Sequence, residues 1–126
     1  MMKTKDEIMQ LSGRDLDAAV AEALGWDDIS INPSTGHLNG THRLQSTIIR
    51  ELVPRYRTDI ADAWKLVDEL VAMGYIHNIT TTSEGSETYF SKERINMAGM
   101  TDFYEAEGSI PPEAISRAFL LAMAGS

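Results

Sequence analysis

Apolar residues recur along the chain with two periods, the 3.6 of a helix and the 2 of a strand. Leu16, Ala19, Val20, Ala23 and Leu24 stand at i, i+3, i+4, i+7 and i+8, which predicts one apolar helix face. Ser12, with Asp15 three residues on, opens this helix, and Gly25 closes it ahead of Trp26. Thr4 and Glu7 form a capping-box pattern before Ile8 and Leu11, so a short helix over 4–11 precedes it. The clearest helix covers 58–73. Ile60, Ala63, Trp64, Val67, Leu70 and Val71 make its stripe, Thr58 can cap it, Asp59 suits its dipole, and Gly74 stops it. Residues 75–82 are rich in Ile and Thr and predict a strand. Residues 83–86 form a turn, 87–92 alternate as the returning strand, and 100–106 is a third strand. Pro111-Pro112-Glu113 opens a last helix, with Ala114, Ile115, Ala118, Leu121 and Ala122 as its buried face.

Residues 27–46 follow neither period. Pro33, Gly36, Asn39 and Gly40 punctuate a long irregular segment, in which Ile29-Ser30-Ile31 is the one strand-like triplet. Residues 47–53 fit a strand or a helix equally and end at Pro54. Runs of helices beside a run of strands predict an α+β fold: an antiparallel β-sheet of about three strands sandwiched between α-helices. One domain accounts for all 126 residues. The expected core includes Leu16, Val20, Leu24, Trp64, Val67, Leu70, Ile115, Ala118 and Leu121, with Trp26 also inside.

Charge narrows the function. Nineteen acids against eleven bases leave a net charge of -8, which argues against direct nucleic-acid binding. An acidic surface can still occupy a basic groove on another protein. The chain has no cysteine, so a disulfide framework, a zinc-thiolate site, an iron–sulfur cluster and a cysteine nucleophile are excluded. No run approaches the roughly 18 apolar residues of a membrane helix. The N-terminus turns acidic before any apolar stretch, unlike a secretory signal, so a cytosolic location and no membrane partner are expected.

Candidate chemistry is sparse. Arg43, Arg50, Arg55 and Arg57 cluster in a span whose one acid is Glu51, just ahead of the helix expected at Thr58. Guanidinium forks beside a helix N-terminus suit a small anionic ligand such as a signalling nucleotide, and Tyr56 could stack on its base or simply close the helix start. The bland alternative is a solvated loop whose arginines pair with surface acids. His37, His42 and His77 lack metal-ligand spacing, so no metal is expected. The acid pairs Asp27-Asp28, Asp68-Glu69 and Glu105/Glu107 read as solvated surface, and Ser30, Ser34, Ser46 and Ser91 lack a nucleophile elbow. No phosphate loop or dinucleotide fingerprint is present, so neither an enzyme nor a cofactor is expected.

Pro54-Arg55-Tyr56-Arg57-Thr58-Asp59, followed by Ala63-Trp64, resembles the central signature of the phage ABA-sandwich domain family. There a Pro-x-Tyr-Ser-Thr-Asp stretch opens a helix carrying Ala-Trp; Arg57 stands here where a Ser is usual. Leu16-Asp17 through Gly25-Trp26 is similar to the family's first helix, and Pro112 to Ala122 to its last. The resemblance implies a small phage or prophage protein with helices packed on both sheet faces, and it brings no catalytic residues. The expected function is therefore a non-enzymatic phage accessory protein. It acts in the host bacterial cytoplasm by binding a host protein, with antagonism of host defence as one such role. The alternatives are a nucleotide-sequestering protein using the Arg43–Arg57 region and a minor structural phage component. Sheet edges and leftover apolar helix faces need covering, so a homodimer is the assembly expected first.

Overall fold

The computed structural model describes residues 4–93 and 101–125. In chain order these form α1 (Lys5–Gln10), α2 (Gly13–Ala23), β1 (Asp27–Ile31), β2 (Leu38–Leu44) and β3 (Thr47–Leu52). There follow α3 (Ile60–Ala72), β4 (Ile76–Thr82), β5 (Gly85–Glu93), β6 (Thr101–Gly108) and α4 (Pro111–Gly125). Strands β1-β2-β3 make one antiparallel sheet and β4-β5-β6 a second. This is the α+β class that the two periodicities imply.

Helix α4 organises the layers. Ala114, Ile115, Ala118, Phe119, Leu120, Leu121 and Ala122 are all buried, so its apolar surface runs nearly the whole way round. Such a helix belongs in the interior. It packs across β5 and β6 and is touched by α1, α2 and α3. Phe90 and Thr88 of β5 and Ala106 of β6 present the inner face of the second sheet. The buried arc exceeds the single face expected from Ala114, Ile115, Ala118, Leu121 and Ala122, because Phe119 and Leu120 meet a further layer.

Local signals set the helix ends. The Thr4–Glu7 capping box forms in both directions at 3.2 Å. Helices α2 and α3 stop alike. Gly25 and Gly74 adopt φ of +96° and +98°, and the aromatic that follows donates its N–H back to the helix: Trp26 to the Ala21 carbonyl, Tyr75 to that of Leu70. A side chain at either glycine would strain this left-handed turn. The cap of α3 is Asp59 rather than Thr58; Asp59 Oδ1 accepts from the N–H groups of Ala61 and Asp62.

Residues 27–46, expected to be irregular, contain β1 and β2. They form a meander: β1 pairs with β2 up to Ile31↔Leu38, and β2 runs in register with β3 from Asn39↔Leu52 to Leu44↔Thr47, which also settles 47–52 as strand. Cross-strand partners supply what the weak local propensity of this stretch lacks. Trp64 is a second correction. It is 42% exposed, with its ring edge-on to His77 at 5.5 Å. The buried arc of α3 centres on Ala63, Leu66, Val67 and Leu70, which leaves Trp64 at its margin. Leu24 is half-buried. Of the third strand, Met100 lies outside the described residues, and the strand starts at Thr101. Among the described residues no helix is long and apolar enough to cross a membrane.

Phe119→Ala is expected to cost about 3–5 kcal/mol, as for other fully buried aromatics. Trp64→Ala should cost less than half of that, because much of the ring already meets water. Urea denaturation of both variants checks the pair; equal losses would contradict the placement of Trp64.

Candidate functional site

The arginine region divides between two places. Arg43 and Arg50 lie on the outer face of the first sheet, where Arg43 stands opposite Ile48 and Arg50 opposite Thr41. Arg50 donates to the Asp28 carbonyl at 3.0 Å, to Asp28 Oδ2 at 3.2 Å and to Ser30 Oγ at 3.0 Å. It thereby clamps β1 across the sheet, at the bulge where Asp28 takes a φ of +51°. Arg55 and Arg57 sit ahead of α3. The Arg55 N–H donates to Asp62 Oδ2, so Asp59 and Asp62 already occupy the positive end of that helix. Arg43 and Arg55 keep exposed side chains with no ion pair among the described residues.

Arg57 and Tyr56 serve the interior. Arg57 donates through its backbone N–H to Asp17 Oδ1 at 2.9 Å and through Nε to Oδ2 at 3.2 Å. Asp17 is buried between α2 and this loop. Burial pushes its carboxyl above the usual range, and the hydrogen bonds and charge of Arg57 pull down without overcoming it. Tyr56 is buried at 4% exposure, so of its two readings the ring packs at the approach to α3 and is not free to stack on a base. Burial first, then the nearby acids Asp62 and Asp17, push its phenol up to about 12, so it stays neutral. Reasoning from the sequence missed Asp17. Its signal was an acid inside the apolar arc of α2, between the positions of Val20 and Ala21, which demands a partner.

The histidines are dispersed. His37 is exposed, His77 meets Trp64, and His42 stacks on Trp26 at 4.1 Å while hydrogen-bonding Glu51. The Trp26–His42–Glu51 row seats the first sheet on the end of α2. Among the described residues no group of three or more His, Asp and Glu side chains could hold a metal ion. A cleft at the end of the second sheet is lined by Glu84, Glu87, Glu107, Glu113 and Arg117. The Arg117 guanidinium is already occupied by the Leu11 carbonyl, the Glu107 carbonyl and Glu113 Oε1.

What remains is the outer face of the second sheet. The register sets three rows across it: Ile76–Ser91–Phe103, Asn78–Tyr89–Glu105 and Thr80–Glu87–Glu107. Ile76 is 65% exposed and Phe103 54%. Tyr89 and Phe103 pack ring to ring at 4.9 Å. Glu87 stands directly opposite Glu107, both exposed, a like-charge pair that works against the strand pairing. An aromatic pair is thus bordered by three carboxylates on a face that, among the described residues, no helix covers beyond the contact of α1 at its β6 margin. That combination can accept a partner surface carrying apolar and basic side chains.

No family model matches the chain, and no curated protein is similar to it.

Arg57→Ala is expected to lower stability by about 1–3 kcal/mol at neutral pH, since it strips the side-chain partner from a buried carboxylate. Because the folded-state pKa of Asp17 is raised, protonation favours the folded state, and stability is lost as pH rises through that pKa. Loss of Arg57 raises it further. The deficit of the variant against the natural chain should therefore shrink as pH falls toward the ordinary carboxylate range. Urea midpoints of the two chains at neutral and acidic pH check this; a deficit constant with pH would contradict it.

Proposed function

We propose that the protein is a non-enzymatic binding protein whose partner is another protein, docked on the outer face of the β4–β5–β6 sheet. The observation that carries this reading is the exposed Phe103, packed on a half-buried Tyr89, beside Glu87, Glu105 and Glu107. A fold has no use for opposed carboxylates and an exposed Phe103 on one face, whereas a basic, apolar partner relieves both costs. The reading assigns the partner to a bacterial host and the chain to a phage, in the host cytoplasm, on the resemblance of Pro54–Trp64 and the first and last helices to the phage ABA-sandwich domain family. A small anionic ligand has less to hold it: Tyr56 is buried, Arg57 is bound to Asp17, and Arg50 to Asp28.

The test is capture from bacterial lysate by three forms of the protein. The natural chain should retain a stoichiometric protein partner. Tyr89→Ala with Phe103→Ala should lose it, while Arg43→Ala with Arg55→Ala should keep it. The reverse dependence, together with a bound mass of a few hundred daltons seen by native mass spectrometry, would replace this reading with the anionic ligand.

A further inference from the structure

We infer that β4 is an association edge, at which a second copy of this chain pairs antiparallel and joins two β4–β5–β6 sheets into one of six strands. Strand β4 ends its sheet, and among the described residues β5 alone pairs with it. Its sequence, Ile76-His77-Asn78-Ile79-Thr80-Thr81-Thr82, holds no Asp, Glu, Lys, Arg, Pro or Gly. Soluble proteins ordinarily guard such an edge with charge, proline, a bulge or a covering element. The other edges of this molecule are guarded. Strand β6 carries Asp102, Glu105 and Glu107, and α1 lies by it, where Lys5 and Ile8 share a crevice with Phe103 and Glu105. Strand β1 carries Asp27 and Asp28 and a bulge, and β3 carries Arg50 and Glu51.

The occupant follows from charge. Two chains of net charge -8 repel over most of their surfaces. The uncharged seven-residue edge, about 23 Å long at a strand's rise, is where they approach without acids meeting across the ladder. A basic partner would gain nothing from this edge, since it offers no carboxylate. A two-fold about its centre also brings no charged pair across the ladder. Antiparallel pairing about Ile79 sets Ile76 against Thr82 of the second copy, His77 against Thr81 and Asn78 against Thr80. The closed two-fold leaves no strand free to propagate. Beside the seam, α3 exposes Ile60, Trp64 and Val71 along one stripe, and Trp64 touches His77 of β4. The two stripes would face each other over the joined strands, with Asp68 at their margin.

The pairing does not depend on the partner reading above; it would set two outer faces side by side. Sedimentation of the natural chain over a range of concentrations should give a mass of about twice 13.9 kDa. Asn78→Lys with Thr80→Lys crowds four cations at the seam and should reduce the mass to one chain, with unchanged circular dichroism and denaturation midpoint. Trp64→Lys, on α3, should weaken the pair while leaving the residues of the strand itself unchanged. Glu105→Lys with Glu107→Lys, toward the opposite edge, should leave the dimer intact. A natural chain that stays single, a dimer that survives both the β4 and the Trp64 variants, loss of the dimer in the β6 control, or a ladder of higher assemblies would each overturn the inference. A single chain that still captures its lysate partner would remove the edge and leave the binding face.

Discussion

The apolar circumference of α4 is the constraint from which the rest of the architecture follows. Each large side chain buried there contributes about 1.5–3 kcal/mol, set against the entropy of ordering the chain around it. No single neighbour can cover a helix that is apolar on all sides, so the sheet takes one side and α1, α2 and α3 take the others. Arg117 is the polar counterpart of this packing. From α4 it holds the Leu11 carbonyl at the α1–α2 junction and the Glu107 carbonyl on β6, contacts 106 and 10 residues distant in sequence. The last helix thus joins elements from both ends of the chain.

Two consequences bear on function. The helices pack on α4, and among the described residues only α1, beside the β6 edge, reaches the outer face of the second sheet, where Phe103 and the carboxylates are exposed and Tyr89 is half-buried. The first sheet is likewise peripheral. Gly40 is the one buried residue among the described positions of β1, β2 and β3, and the sheet is seated through Trp26 against His42, Arg14 on the Gly36 carbonyl, and Val53 in the core. The Asp17–Arg57 pair lies where the loop leaving that sheet meets α2. The arginine region therefore has structural duties that its charge alone did not disclose.

Legibility in the sequence followed the strength of the local pattern. The Thr4–Glu7 box, the Gly25-Trp26 and Gly74-Tyr75 stops and the 76–93 hairpin are decided within a few residues, and the sequence discloses them. The first sheet closes a turn as short, Leu44↔Thr47 against Thr82↔Gly85, but strands β1 and β2 lack the β-branched run of 76–82, and punctuation by Pro33, Gly36 and Gly40 hid them. Trp64 fits the apolar stripe of α3, yet the stripe is wider than the arc that packs, and only the neighbours of the helix decide which margin is covered. Phe119 and Leu120 differ for the opposite reason, since the periodicity predicts one face where the helix is buried nearly all round. Of the candidate site, composition disclosed the acidity. The outer face needed the register, which puts Glu87 against Glu107 and Tyr89 beside Phe103.

Hydrogen exchange of the backbone amides under native conditions tests the central role of α4 most directly. Amides from Ile115 to Ala122 should exchange only through global unfolding, as the slowest in the chain, together with those of β5 facing the helix. Amides of β1, β2 and β3 should exchange through a local opening of lower free energy. If the first sheet proved as protected as α4, or if α4 opened before β5, the account of a fold built around its last helix would be contradicted.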